Sequence, residues 1–496
     1  MTARRGARAA PLLALLLCSG CFRLLPSRGG GETRFEPPRR IEPADVALPA
    51  GYRIEPVAQG LTFPTSVAFD GEGGVYVTEA GYSYGEVVLE PKLLRVEPDG
   101  RTTLVASGRN PPWNGATFAD GAFYIGGGHL AHGQILRVTR DGRVSVLVDS
   151  LPSLGDHHTN GPVLGPDGWL YWGQGTATNA GVVGPDNYDY GWLQRYPRFH
   201  DVPCADVTLA GRNFTTANPL TPEDDRATTG AFVPFGVATT AGQVIRGRPR
   251  CGGAVLRVRP TGGEPEVVAW GLRNPFALAF SPDGALYATE NQYDVRGSRP
   301  VFGAGDLLWR VQPGVWYGWP DFYAGRALNQ EWFDPPGGRP RPELLLARHP
   351  NAPPRPAALL GVHSASSGID FSRGPAFGHA GQAFVAQFGD LAPTVGKVVS
   401  PVGFKVVRVD VASGVIHDFA VNRGSTNGPA SRLGGGGLER PLGLRFDPTG
   451  AALYVVDFGV MTTVDGQPRP RPGTGVLWRI SRAPGTAPGA APEDTP

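Results

Sequence analysis

One pattern of apolar and polar positions returns six times along the chain. Each copy is a short apolar run, a turn with Asp or Gly, and a second apolar run that ends in small residues. The copies are SVAFDGEGGVYVTEAG (66–81), GATFADGAFYIGGG (115–128), GPVLGPDGWLYWGQG (161–175), FALAFSPDGALYATEN (276–291), GIDFSRGPAFGHAGQAFVAQFG (368–389) and LGLRFDPTGAALYVVDFG (442–459). Because the turns suit positive φ and the flanking runs favour extended backbone, each copy predicts a β-hairpin.

A third apolar run with an Arg near its middle follows every copy, as in KLLRVEPDG and GVLWRISR. In four of the six copies a fourth run comes next, as in TTLVASG and PEVVAWGL. Repeated four-strand units stack radially as propeller blades. The repeat therefore predicts an all-β fold, a six-bladed β-propeller over residues 51–482. A β-sandwich built from the same hairpins is the alternative.

The two ends of the repeat predict how the ring closes. The segment YRIEPVAQGL (52–61) resembles a fourth run, yet it precedes the first blade. The last copy has its third run at 475–481 and no clear fourth. We therefore expect residues 52–61 to supply the outer strand of the last blade.

Composition and the N-terminal residues bear on location. The formal net charge of +2 gives no reason to expect nucleic acid as a partner. Residues 1–21 read as a lipoprotein-type signal peptide, with an Arg-rich start, the apolar run PLLALLLCSG and lipidation at Cys21; simple secretion is the alternative. We expect a flexible tether over 22–50, a disordered tail over 483–496, and membrane contact through the lipid anchor alone.

Two further cysteines bracket an insertion over residues 204–251 that interrupts the blade spacing. In an oxidising compartment, an even pair such as Cys204 and Cys251 predicts a disulfide. Two separate buried thiols are the alternative.

Polar residues stand at three positions where the chain enters an inner strand. The segment GDHHTNG (155–161) pairs a His with a carboxylate, as a general base requires, so His157 and Asp156 are the catalytic candidates. A structural polar plug is the alternative. Arg273 and Asn274 precede blade 4, and Arg440 precedes blade 6. Together they predict a site for carboxylates and carbonyls, unless each Arg pairs with a loop carboxylate.

A loop over 290–306 is rich in oxygen-bearing side chains, in the run ENQYDVRGSRPVFGAGD. Oxygen ligands on an irregular loop are suited to Ca²⁺, although their spacing does not match an EF-hand.

The stretches DHHTNGPVLGPDG, GLRNPFALAFSPDG and YGWP together resemble the soluble PQQ-dependent glucose/sorbosone dehydrogenases, six-bladed propellers that oxidise aldose sugars with pyrroloquinoline quinone (PQQ) and Ca²⁺. The resemblance spans roughly residues 52–482. It implies an exported enzyme that passes electrons to a soluble carrier or the respiratory chain. His157 would be the base, supported by Asp156. The other implied contacts are Arg273 and Asn274 with the quinone, Arg440 and Lys397 with its carboxylates, and main-chain carbonyls of Asn291, Gln292 and Tyr293 with Ca²⁺.

The chain departs from that family's pattern at four places. Leu442 stands where a second Arg is usual, Trp113 replaces a Gln, Gly173-Gln174-Gly175 lacks an Asp, and Lys397 is displaced. These departures keep two other functions open: a non-catalytic propeller that binds carbohydrate or protein, and a Ca²⁺-dependent lactonase.

Overall fold

The computed structural model describes residues 25–83, 87–465 and 467–485. Cys21, the signal peptide and residues 486–496 of the tail lie outside these ranges. Within them, six antiparallel sheets follow one another along the chain, five with four strands and one with five. We number the sheets blades 1 to 6 in the order of their first strands.

The strands of each blade follow in order from the channel side to the outer edge. Blade 1 contains Pro64–Phe69, Val75–Glu79, Lys92–Val96 and Thr102–Ser107. Blade 2 contains Trp113–Ala119, Ala122–Gly127, Gly133–Thr139 and Val144–Leu151. Blade 3 contains Val163–Leu164, Leu170–Gln174, Ala254–Val258 and Glu266–Trp270. Blade 4 contains Asn274–Phe280, Leu286–Asn291, Asp306–Arg310 and Ala358–Gly361. Blade 5 contains Ser366–Phe371, Ala383–Gln387, Lys405–Asp410, Val415–Asn422 and Val46–Ala47. Blade 6 contains Pro441–Phe446, Ala452–Asp457, Gly475–Arg482 and Tyr52–Leu61.

Shorter elements fill the connections. Five two-stranded sheets pair Tyr82–Ser83 with Val87–Val88, Val207–Ala210 with Ala241–Ile245, Asn213–Ala217 with Arg226–Gly230, Phe322–Tyr323 with Arg326–Ala327, and Met461–Val464 with Gln467–Pro470. The helices of the described residues are Pro185–Asp189, Trp192–Arg195 and Ala430–Leu433, with 3₁₀ turns at Pro43–Asp45 and Glu331–Phe333. No helix in this part of the chain is long and apolar enough to span a membrane.

The inner strands of all six blades surround one narrow axial cavity, which we call the channel. Each blade contributes to its wall, through Ser66, Ala116, Val163, Leu278, Ile369 and Leu444. This ring confirms the six-bladed propeller and excludes the sandwich.

The ring closes as predicted. Tyr52–Leu61 pairs antiparallel with Gly475–Arg482, from Tyr52 opposite Arg482 to Leu61 opposite Gly475. The N-terminal strand therefore becomes the outer strand of blade 6, and hydrogen bonds join the first and last parts of the propeller.

The core lies between the blades. Each sheet packs a neighbour on both faces, so apolar clusters form at the blade interfaces; Val67 and Val77 of blade 1, for example, contact Val456 and Leu477 of blade 6. Burial on both faces explains why Ala383–Gln387 is buried at every position instead of alternating.

Residues 28–50 pack against the propeller, in contrast to the flexible tether expected from their composition. Arg39 forms a buried ion pair with Asp457 at 2.5 Å. The Gly30 amide donates to Asp390 at 3.0 Å, and a Cβ on Gly30 would lie 2.1 Å from the Phe404 ring. Glycines permit this close approach of the backbone as readily as they permit a mobile linker, so composition could not tell the two apart.

The insertion over 204–251 contains two of the two-stranded sheets. A Cys204–Cys251 disulfide confirms the predicted pairing. Cys251 is fully buried at the interface of blades 2 and 3. The bridge therefore fixes the insertion to the body of the propeller.

Candidate functional site

A cleft of about 1330 Å³, counting its open mouth, lies at the end of the channel where the chain enters the inner strands. Most of the residues predicted from the sequence line it, although they come from three separate segments: Asp156, His157, Arg273, Asn274, Asn291, Gln292 and Tyr293. Arg440 and Lys397 are not among the described residues of its lining.

His157 is held as one tautomer. Its Nδ1 lies 3.0 Å from the carbonyl oxygen of Thr176. A carbonyl only accepts, so Nδ1 must carry the proton and Nε2 the lone pair. Burial lowers the pKa of His157 well below its usual range, and the positive charges of Arg273 and Arg296 lower it further. The residue is thus a neutral imidazole with a free basic nitrogen.

Asp156 does not orient this imidazole. Its carboxylate accepts from Asn187 at 2.9 Å and pairs with Arg296 at 2.8 Å. The predicted support of His157 by Asp156 is therefore provided by Thr176 instead. Neighbouring residues on an extended segment point to opposite sides. The adjacency of Asp156 and His157 in the sequence therefore did not imply a contact between their side chains.

Arg296 organises the charges of the cleft. Its guanidinium pairs with Asp156, with Asp186 at 2.6 Å and with Asp294 at 3.0 Å, and lies over the Tyr190 ring. The loop 290–306 was singled out from the sequence for its oxygen ligands, and the role of this cation was missed. The signal in the sequence that could have indicated this role is the position of Arg296 within a run of carboxylate and amide side chains.

Arg273 is buried, and the described residues accept four hydrogen bonds from its five N–H groups. It pairs with Asp294 at 2.8 Å and donates to the carbonyl oxygens of Asn179 and Asn291, both at 3.1 Å. Asn274 donates to the side chain of Asn291 at 3.1 Å. The Arg-Asn pair therefore contributes a fixed positive charge and a rigid amide to one side of the cleft.

The three residues predicted near Ca²⁺ have unequal capacity to bind a cation. The Asn291 carbonyl already accepts from Arg273, and Tyr293 donates to the Phe322 carbonyl. Gln292 differs, since its Oε1 is buried without a hydrogen-bond partner. Among the described residues, no group of three or more His, Cys, Asp or Glu side chains forms a metal site. The fit to a cation rests on the free oxygen of Gln292.

Arg440 supports the cleft from behind. Its guanidinium donates to the carbonyls of Gly389 at 3.1 Å, Asp390 at 3.2 Å and Met461 at 3.3 Å. Phe388 stacks on it, with the ring centroid 4.8 Å from Cζ. The structure thus gives the predicted anion-binding Arg a positioning role for the loops of blades 5 and 6.

The side of the cleft formed by blades 1, 4, 5 and 6 is apolar. We call it the apolar wall; it consists of Ala80, Phe276, Phe388, Leu442, Phe458 and Met461. Sequence reasoning missed it because its residues are scattered from 80 to 461 and look like ordinary core positions. Leu442, noted as a departure from the family pattern, lies within it.

A second His lines the cleft beside His157. The Nδ1 of His158 lies 3.5 Å from the Asn114 amide nitrogen, and its ring packs edge-on against His129. Burial lowers the pKa of His158 to about 4. His157 and His158 are therefore both neutral at physiological pH.

Comparison with known proteins shows a shared fold. An aldose sugar dehydrogenase from Streptomyces coelicolor in its PQQ-bound form is 17% identical, with a TM-score of 0.50, over 88% of this chain and 99% of its own. The holo PQQ domain of a pyranose dehydrogenase from Coprinopsis cinerea is 16% identical, with a TM-score of 0.52, over 90% of this chain and 98% of its own. A family AA12 carbohydrate-active enzyme from Trichoderma reesei has the same identity and TM-score. These proteins share the fold. No family model and no curated protein matches the sequence.

Proposed function

We propose that this chain is an exported quinoprotein dehydrogenase that oxidises an aldose-type sugar, with PQQ and Ca²⁺ as cofactors. The observation that carries the proposal is the cleft itself, in which His157 presents a fixed, unprotonated Nε2 close to two arginines. The shared fold supports it, since the proteins of that fold include PQQ-bound sugar dehydrogenases.

In this proposal the Nε2 of His157 accepts the proton of the anomeric hydroxyl while the C–H bond at the same carbon breaks. PQQ, when bound, supplies the acceptor for the hydride, so the sugar loses two electrons and two hydrogens. The Thr176 carbonyl keeps Nδ1 protonated throughout and so keeps the base in one orientation. Arg296 holds Asp156 away from the imidazole, which leaves Nε2 as the group that takes the proton.

The residues fit the cofactors on one side of the cleft. Arg273 and Asn274 would contact the quinone, and the free Oε1 of Gln292, with the backbone of Asn291 and Tyr293, would approach Ca²⁺. On the opposite side of the cleft lies the apolar wall. None of its residues is a cation that could pair with a carboxylate of PQQ. Contacts of Arg440 and Lys397 with the cofactor remain predictions, and Arg440 would have to give up its backbone carbonyls to make one.

Export and the electron acceptor complete the proposal. The signal at residues 1–21, with Cys21 as the lipid-bearing residue, would place the enzyme outside the cytoplasm. The Cys204–Cys251 disulfide agrees with an oxidising compartment. Electrons would pass to a soluble carrier or to the respiratory chain, as in the family that the sequence resembles.

The test is a titration of the purified protein with PQQ in Ca²⁺, followed by absorbance before and after addition of a panel of aldoses. We expect the quinone absorbance to bleach with sugar, and His157→Ala to abolish the bleaching while PQQ still binds. His417→Ala is the matched control, because His417 lies on the Val415–Asn422 strand of blade 5, away from the cleft lining.

A non-catalytic binding propeller is the second candidate. The apolar wall and the sequestered guanidinium of Arg440 favour it, because both remove cations that a tricarboxylate would use. Absence of PQQ binding at micromolar concentration, together with direct binding of a sugar, would select this candidate over the dehydrogenase.

A further inference from the structure

The channel opens at its opposite end into a second cavity, of about 1260 Å³ counting its open mouth. It lies where the inner strands end, whereas the candidate cleft lies where they begin. Each blade contributes a residue to it: Phe69, Phe118, Leu164, Phe280, Ile369 and Arg445. We call this space the far cavity.

Arg445 faces the far cavity and the channel with most of its hydrogen-bonding capacity unused. A guanidinium has five N–H donors. Among the described residues, the one acceptor that meets Arg445 is Oγ1 of Thr117, at 3.5 Å. No carboxylate of this part of the chain lies within 4.0 Å of it. Burial lowers the pKa of Arg445, and the charge of Asp370 opposes this shift.

The carboxylate that lies nearest in the wall is already engaged. Asp370 accepts from the backbone amides of Phe371 at 2.8 Å and Phe446 at 2.9 Å. Its remaining contact is with Arg373, 4.0 Å away at the cavity rim. The charge of Asp370 acts on Arg445 through space, but no hydrogen bond joins the two side chains, so N–H groups of the guanidinium are available to a ligand.

Apolar side chains surround this cation. Phe118 and Phe280 are half-buried, and Leu164 is 40% exposed. A half-buried guanidinium with unused N–H donors favours an acceptor, and exposed apolar surface next to it favours an apolar partner. A single ligand with a carboxylate and an apolar body would satisfy both.

We propose that the far cavity binds a small organic acid, whose carboxylate pairs with the guanidinium of Arg445 and whose apolar body packs against Phe118, Leu164 and Phe280. The planar fork of Arg matches a carboxylate in shape. Inorganic phosphate suits the site less well, because it has no apolar body to pack against Phe118, Leu164 and Phe280. This site is independent of the cleft and of the function proposed for it.

The probe is benzoate, with benzamide as its uncharged analogue and inorganic phosphate as an anion without an apolar body. Binding is measured by calorimetry and by the shift in melting temperature of the full chain. We expect benzoate to bind at least about tenfold more tightly than benzamide or phosphate, since a charge-assisted pair accounts for a tenfold change or more. Equal binding of the three, or no binding of benzoate at millimolar concentration, would overturn the proposal.

Three variants place the binding at Arg445. Arg445→Gln should lose the benzoate affinity by about tenfold or more, and Arg445→Lys should retain part of it, because it keeps the charge and loses the fork. Arg143→Gln, which removes the same charge from a side chain that is 81% exposed, should bind as the unmodified protein does. The melting temperature of Arg445→Gln without ligand shows whether the variant is folded, since the charge removed interacts with Asp370. Unchanged benzoate binding in a folded Arg445→Gln variant would place the ligand elsewhere and contradict the proposal.

Discussion

The reactivity of the cleft depends on how single side chains are charged. His157 keeps a neutral imidazole because burial and two nearby arginines disfavour its protonated form. The Thr176 carbonyl decides which nitrogen carries the proton. Charge and tautomer are thus set by different contacts, and each can be tested separately.

The pH dependence of the proposed reaction tests the charge. The base acts when neutral, and its pKa is lowered, so activity should be lost only when the pH falls through that lowered value. We expect the acidic limb of kcat/KM against pH to lie below 6.5, the ordinary value for histidine. A limb at or above 6.5 would contradict a buried, desolvated base.

Leu442 tests the apolar wall. Because it lines the cleft where the family pattern has a second Arg, Leu442→Arg should place a cation beside a bound carboxylate. We expect the affinity for PQQ, measured by titration of its absorbance, to rise about tenfold. Leu442→Met keeps the wall apolar and should leave the affinity unchanged. Equal affinities of the two variants would show that the cofactor carboxylates do not reach this wall.

Among the elements of the fold, the N-terminal segment differs most from what its composition predicts. Residues 28–50 combine a buried ion pair, a strand pairing at Val46–Ala47 and a close approach of Gly30 to the Phe404 ring. The segment therefore belongs to the folded body, and it supports the loop at Asp390 that borders the cleft.

The variant Arg39→Leu tests whether residues 28–50 are folded against the propeller or form a flexible tether. The Arg39 side chain is 4% exposed and that of Asp457 is fully buried, so the variant leaves a buried carboxylate without its ion pair. We expect the free energy of unfolding to fall by about 3 kcal/mol or more in a denaturant titration. Arg40→Leu is the neighbouring control, because Arg40 is 61% exposed and its change should cost less than about 1 kcal/mol. If both variants lowered the free energy of unfolding by the same small amount, residues 28–50 would be better described as a flexible tether.

The whole molecule depends on the closure of the ring. Tyr52, Ile54, Ala58 and Leu61 of the closing strand are buried against blades 5, 6 and 1. Without this strand, blade 6 would lose its outer edge and expose apolar side chains to water.

Two truncations measure what closure contributes. A chain that begins at Gly51 keeps the closing strand, and one that begins at Thr62 lacks it. Losing the buried side chains should cost on the order of 5 kcal/mol, since a large apolar side chain contributes about 1.5–3 kcal/mol. We expect the shorter chain to unfold several degrees lower by circular dichroism and to aggregate on size-exclusion chromatography. Equal melting temperatures would mean that the closing strand is dispensable.

The sequence by itself determined the architecture of this protein. Hairpin chemistry is local, so six copies of one turn pattern sufficed to predict six blades, and a misplaced fourth run sufficed to predict Tyr52–Leu61 as the closing strand. The positions before the inner strands followed from the repeat, which is why His157, Arg273 and Asn274 were found together in one cleft.

Only the tertiary structure decided which groups are free to act. The hydrogen-bond partner of His157 is the Thr176 carbonyl and not Asp156. Arg296 forms ion pairs with three carboxylates, and Arg440 donates to backbone carbonyls. Each outcome depends on contacts between segments that are distant along the chain. The repeat places His157, Arg273 and Asn274 at the cleft, but their charges and hydrogen bonds are set by neighbours that only folding brings within reach.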